Sequence, residues 1–124
     1  MPINRRKVRN GVSCFLNYLK FRYLGVEMGY HFRGLGKIVL YLDPKYKRVV
    51  IGDNFIIIGG GFRNSISRNM MSCIHVQAGA ELCIGNDVRM SDVCIWARKK
   101  IIIGSFVTVG ADTIIMDSDS HPLD

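Results

Sequence analysis

The 124-residue chain contains no uninterrupted apolar stretch near the roughly 20 residues that a membrane-spanning helix needs, so the sequence offers no such span. Its four cysteines, Cys14, Cys73, Cys83 and Cys94, are widely spaced, form no CxxC pair and have no matching histidine cluster. That excludes a zinc ribbon or finger and leads us to expect small hydrophobes of a core in a reducing compartment. No signal peptide is expected either: Arg5 to Arg9 would serve as its charged start, but the following Val12–Leu24 stretch is interrupted by Asn17, Lys20 and Arg22. The expectation is a cytoplasmic protein. Acidic residues are scarce at one end. Residues 1–48 hold 11 Lys and Arg against only Glu27 and Asp43, whereas residues 49–124 hold six basic and eight acidic residues. The overall charge of +7 therefore belongs to the N-terminal segment. The larger remainder cannot carry a phosphate-tracking groove, and the basic segment has no nucleic-acid motif, so no nucleic-acid partner is expected.

What is present is the composition of one ordinary globular domain, 48% hydrophobic and 22% charged. Between Gly11 and Gly25, Val12, Phe15, Leu16, Leu19 and Tyr23 recur at steps of three and four, with Asn17, Lys20 and Arg22 off that face. This predicts a short amphipathic helix. Two readings of its apolar face are open, packing onto the rest of the domain or contact with an anionic membrane surface at the inner face of the plasma membrane. Glycines at 25, 29, 34 and 36 then break the helical pattern, and Lys37–Leu42 and Arg48–Ile51 read as short strands around Asp43-Pro44-Lys45.

From Val49 onward short β-branched runs are cut by Gly, Asn and Asp, and the runs obey a period of six. Written from Ile84 the sixes are Ile84-Gly-Asn-Asp-Val-Arg, Met90-Ser-Asp-Val-Cys-Ile and Trp96-Ala-Arg-Lys-Lys-Ile. After one inserted residue they continue as Ile103-Gly-Ser-Phe-Val-Thr, Val109-Gly-Ala-Asp-Thr-Ile and Ile115-Met-Asp-Ser-Asp-Ser. The first position is Ile, Val, Met or Trp in all six, the second is Gly, Ala or Ser in five, and the fifth is Val, Cys or Thr in four, so three positions share the period. Ile51-Gly-Asp-Asn-Phe-Ile is an earlier copy, before Gly59-Gly60-Gly61 interrupts it. One short strand and one tight turn per six residues, three times over, brings the backbone round to stack about 4.8 Å higher. The aliphatic first position then fills a narrow core, and Gly, Asn and Asp serve the corners. An antiparallel sandwich would show two-residue alternation and hairpin dipeptides such as Asn-Gly, and residues 49–124 show neither. The predicted architecture is all-β, a parallel β-helix with a short N-terminal helix, divided into a basic helix with lead-in strands over 1–46 and hexapeptide coils over 47–124. In this frame Trp96 occupies an inward position and reads as a bulky core or corner residue, with a sugar-stacking role as the alternative.

The segments 73–97 and 101–111, followed by Asp117-Ser-Asp-Ser-His-Pro-Leu-Asp124, resemble the hexapeptide-repeat acyltransferases, and within them the O-acetyltransferases of polysaccharide clusters and of the maltose and galactoside type. The resemblance is strong from about Lys47 and unspecific before it. It implies a left-handed parallel β-helix, a homotrimer with its active site between subunits, acetyl-CoA as acyl donor without a metal, and a sugar or polysaccharide-precursor hydroxyl as acceptor. It also assigns the general base to His121, since a weakly acidic hydroxyl needs a neutral imidazole to take its proton during attack on a thioester. Asp117 and Asp119 are expected to orient that imidazole or to bind acceptor hydroxyls. Where the maltose and galactoside enzymes carry an Asn one or two coils earlier, this chain has Ser91-Asp92, which leaves Asp92 as a candidate for acceptor binding only, because a carboxylate would repel an oxyanion. The γ-class carbonic anhydrases share the fold and hold a metal with three histidines. His31, His75 and His121 are too dispersed in sequence for that set, so metal hydration chemistry is not expected.

The family's further coils, which carry much of the coenzyme A binding and the closing cap, are not in this sequence after His121. We therefore expect a truncated product or a fragment, with most cofactor-binding residues missing. Two functions follow: a sugar O-acetyltransferase, or a catalytically inactive acyltransferase-like module that acts in assembly or membrane association.

Overall fold

The computed structural model describes residues 5–60 and 71–118. One helix, α1 (Arg5–Tyr23), precedes twelve short strands: β1 (Glu27–Met28), β2 (Arg33–Gly36), β3 (Ile38–Leu42), β4 (Arg48–Ile51), β5 (Ile56–Gly59), β6 (Ser72–Val76), β7 (Glu81–Ile84), β8 (Arg89–Ser91), β9 (Cys94–Ala97), β10 (Lys100–Ile103), β11 (Thr108–Val109) and β12 (Ile114–Met116). They form three four-stranded sheets ordered β1-β4-β7-β10, β2-β5-β8-β11 and β3-β6-β9-β12, and every pairing is parallel. The chain thus visits the three sheets in rotation and returns to each after three strands. Strands before residue 47 belong to the same three sheets as those after it.

The six-residue units explain the corners. Met28-Gly29-Tyr30-His31, Ile51-Gly52-Asp53-Asn54, Ile84-Gly85-Asn86-Asp87 and Ile103-Gly104-Ser105-Phe106 stack at the turn between the first and second sheets. Each ends on a residue with positive φ: His31 64°, Asn54 56°, Asp87 57° and Phe106 61°. Each level is tied to the next. The Tyr30 amide donates to Asp53 Oδ1 (2.8 Å), the Asp53 amide to Asn86 Oδ1 (2.8 Å) and the Asn86 amide to Ser105 Oγ (2.9 Å). Gly52 is required for closeness: a Cβ there would meet the Asn86 Oδ1 atom and the Gly85 backbone. The Met28–Phe32 copy escaped the sequence reading because Tyr30 and His31 replace the usual small polar corner residues.

Between the corners, alternate residues point inward. Ile57, Ile74, Leu82, Val88, Met90, Val93 and Ile95 are fully or almost fully buried, while Val107, Val109 and Ile115 of the fourth level are only partly covered. Inward positions run 84, 90, 97, 103, 109 and 115, so the extra residue falls between Met90 and Ala97 and not after Ile101. A one-residue shift moves a side chain to the other face. Trp96 therefore points outward, half-buried, and Ile95 and Ala97 fill the core in its place. The four cysteines are free, and they depart from expectation in their burial: all are half-buried, with none in the core.

Helix α1 begins before the predicted Gly11 and ends in a Schellman cap. Gly25 takes φ 86°, its amide donates to Arg22 O (3.0 Å), and the Val26 amide donates to Phe21 O (3.1 Å). Its orientation is the reverse of ordinary amphipathic packing. The face against the sheets is largely polar, and it completes β2, the end strand of its sheet, whose outer edge would otherwise leave backbone groups unpaired. Asn17 Nδ2 donates to Gly34 O (2.9 Å) and Gly36 O (3.1 Å), Ser13 Oγ accepts from the Gly36 amide (2.8 Å), and Lys20 Nζ donates to Ile38 O (2.6 Å). Phe21, at 0% exposure, is the apolar anchor; its ring centroid lies 4.8 Å from that of Phe32, which in turn stacks at 6.1 Å on Phe55. The predicted apolar face, Val12, Phe15, Leu16, Leu19 and Tyr23, points away from the sheets and is exposed.

Candidate functional site

Strand β12 delivers the chain to Asp117 at the corner that follows the third sheet. There the carboxylate accepts three backbone amides of the preceding level: Arg98 on Oδ1 at 2.8 Å, Lys99 on Oδ2 at 2.7 Å and Lys100 on Oδ2 at 2.7 Å. Desolvation pushes its pKa upward, but the three amides hold the charged form more strongly, and the net displacement is downward from the ordinary aspartate value. Asp117 is thus an ionised corner clamp. Its carboxylate fixes the backbone directly before Asp119 and His121, both of which lie outside the described residues.

Asp92 sits at the other end of the third sheet, on the turn between β8 and β9. It is 5% exposed, takes φ 47°, and its Oδ1 accepts the Gly60 amide at 2.9 Å. Its own amide donates to Ile58 O (2.8 Å) and its carbonyl accepts the Asp112 amide (3.0 Å). Asp92 therefore joins three successive levels of one corner. Because Asp117 follows the last strand of the third sheet and Asp92 precedes another, the structure does not bring these two carboxylates together.

The outer face of the third sheet carries an aromatic column that sequence reasoning missed. In-register pairing places Tyr41 beside His75 and His75 beside Trp96. The Tyr41 and His75 ring centroids are 5.5 Å apart and tilted at 48°, and His75 and Trp96 are 5.4 Å apart and stacked at 15°. The His75 ring thus lies between two aromatic neighbours, and the face of Trp96 that stacks on it is taken. The signal in sequence was the spacing Tyr41, His75, Trp96 at successive levels, visible only once the strand register is known. Beside this column a depression of about 540 Å³ is lined by Tyr41, Asp43, His75 and Gln77, with Leu24 and Leu40. On the same face Cys73 and Cys94 are register partners, and desolvation, then the neighbouring Cys94, raises the Cys73 thiol pKa.

A second groove, of about 410 Å³, crosses the outer face of the second sheet. Leu35, Ile56 and Ile58 give it an apolar floor, and Arg33 and Arg89 add two cations. That donor set suits a flexible apolar arm ending in an anionic group. Among the described residues no group of three or more His, Cys, Asp or Glu is placed to hold a metal ion, and no helix is long and apolar enough to cross a membrane. No protein-family model, curated protein or solved structure matches this chain.

Proposed function

We propose that the three-sheet winding is a left-handed parallel β-helix and that the protein is an acyltransferase, moving an acetyl group from acetyl-CoA to a hydroxyl of a sugar or polysaccharide precursor. The observation that carries this reading is the agreement between the six-residue period and the rotation of strands among three parallel sheets. The motif Asp117-Ser-Asp-Ser-His-Pro122 follows directly on the last of those strands.

In this reading His121 accepts the proton of the sugar hydroxyl as its oxygen attacks, and Asp119 binds or orients acceptor hydroxyls. Asp117 acts by position: its clamp on the amides of residues 98–100 sets where the following segment starts. Arg33 and Arg89 bind the anionic end of the donor, and Leu35, Ile56 and Ile58 line the path of its flexible arm. Acetyl-CoA supplies the thioester carbonyl that is attacked. Subunits associate as a homotrimer, which places residues of neighbouring copies around each donor.

The test is acetyl transfer to a panel of sugars, read by the mass of the acetylated product. The wild-type chain transfers acetyl, and His121→Ala lowers the rate by about 10²–10⁴-fold, the usual contribution of a positioned base. A full rate in His121→Ala removes the assignment of the base; no binding of acetyl-CoA by the wild-type chain removes the acyltransferase reading. The second reading, an inactive module for assembly or membrane association, is favoured by one observation, the exposed apolar face of α1.

A further inference from the structure

The outward side of α1 is built as a surface, and its two kinds of side chain are sorted. On a helical wheel Val8, Val12, Phe15, Leu16, Leu19 and Tyr23 fall in a stripe about 100° wide. All six are exposed, Phe15 at 60% and Tyr23 at 90%. Arg9 borders this stripe on one side, Arg22 borders it on the other, and Arg5 stands at its N-terminal end, whereas Lys20, next to Arg9 on the wheel, is turned to the sheets by its bond to Ile38 O. From Arg5 to Tyr23 the sequence has six Lys and Arg and no Asp or Glu. The helix does not need to detach to present this side, because Ser13, Asn17 and Phe21 hold it to the sheets by the opposite one.

We propose that this face of α1 docks the protein on an anionic lipid surface, with Phe15, Leu16 and Leu19 entering the headgroup boundary. Long cationic side chains flanking an apolar stripe reach out to lipid phosphates while their stems stay against the acyl boundary. Charge decides against a second copy as occupant: pairing like faces would set two helices of the same positive sign against each other, whereas anionic headgroups complement them. The inference is independent of whether the protein transfers acetyl groups. It goes beyond the acyltransferase reading by giving the reaction a place, at a membrane surface where lipid-linked or surface-bound sugars are met.

The experiment is co-sedimentation of the full chain with vesicles of phosphatidylglycerol and, separately, of phosphatidylcholine, with circular dichroism to check folding. The chain sediments with phosphatidylglycerol, is released by added salt, and stays in solution with phosphatidylcholine. Phe15→Glu abolishes sedimentation. Leu16→Gln, which adds no charge and suits a helix, weakens it and serves if Phe15→Glu does not fold. Arg9→Ala with Arg22→Ala weakens it about 25-fold, at roughly fivefold for each cation near an anionic surface. Lys45→Ala, an exposed cation on the turn after β3, leaves it unchanged. Equal binding to both lipids overturns the proposal. So does full binding by Phe15→Glu, or a loss in Lys45→Ala as large as that in the arginine pair. Wild-type chain that ignores vesicles but forms an oligomer dissolved by Phe15→Glu would assign the face to self-association instead.

Discussion

Phe15 and Phe21 give the sharpest test of how α1 is seated. A helix with an apolar stripe ordinarily buries that stripe, so Phe15 would be the residue that matters. The structure inverts this: Phe15 is 60% exposed and Phe21 is 0% exposed, against Phe32 at a centroid distance of 4.8 Å. Phe21→Ala removes a fully buried ring and opens a cavity between α1 and the first level of strands, which costs about 3–5 kcal/mol. Part of that is the tilted aromatic contact with Phe32, about 0.5–1.5 kcal/mol. The polar seam around the cavity resists collapse, because Asn17, Ser13 and Lys20 hold the helix to β2 and β3 at fixed distances. The upper half of the range is therefore expected, roughly 4 kcal/mol. Set against a total stability of about 5–15 kcal/mol this is a large fraction. At about 4 °C for each kcal/mol in a chain of this size, it lowers the midpoint by about 15 °C. Phe15→Ala changes stability by less than about 0.5 kcal/mol, since it touches no buried contact and alanine is the better helix former. Thermal and urea unfolding of both variants, followed by far-ultraviolet circular dichroism, measure the difference. If Phe15→Ala destabilises the protein as much as Phe21→Ala, α1 does not sit with Phe21 inward and Phe15 outward.

Two further substitutions probe the corners. Gly36 lies at φ 83°, and a Cβ there would run into the Gly59 carbonyl oxygen of the next level. Gly36→Ala therefore costs several kcal/mol by backbone strain and crowding together, read by urea unfolding, and an unaltered midpoint would contradict the corner geometry. Asp117→Asn weakens the three amide bonds while keeping the size of the side chain. Because the folded-state pKa of Asp117 is lowered, its contribution is present above the ordinary aspartate value of about 3.9 and is lost as pH falls through the folded value below it. The stability gap between wild type and Asp117→Asn is thus open at neutral pH and closes in acid. A gap independent of pH would show that the charge does not matter.

Much of the winding was legible because it is a local repeat. Ile51-Gly-Asp-Asn, Ile84-Gly-Asn-Asp and Ile103-Gly-Ser-Phe state in four residues each the end of a strand, the close approach of two levels and the left-handed corner, and the same four recur in space. The helix over residues 12–23 was legible for the same reason, and so were β3 and β4. The position of the extra residue was not. Placing it after Ile101 or before Ala97 preserves most of the period, and only the burial of Ile95 and Ala97 decides the matter, turning Trp96 outward into the column with His75 and Tyr41. The site was half-legible: Asp117 and Asp92 were visible as residues, but their partners are backbone amides of other levels, which no spacing within one unit reveals.

The sequence by itself determined the period, the corner residues and the separation of a basic segment from a mildly acidic repeat, since these follow from backbone preferences and charge counted along the chain. Only the tertiary structure decided which face each side chain serves. The end strand of a parallel stack leaves carbonyls and amides that must be paired, and α1 pairs them with Asn17, Ser13 and Lys20. That demand turned the helix round, placing its polar side against the protein and its apolar side outward.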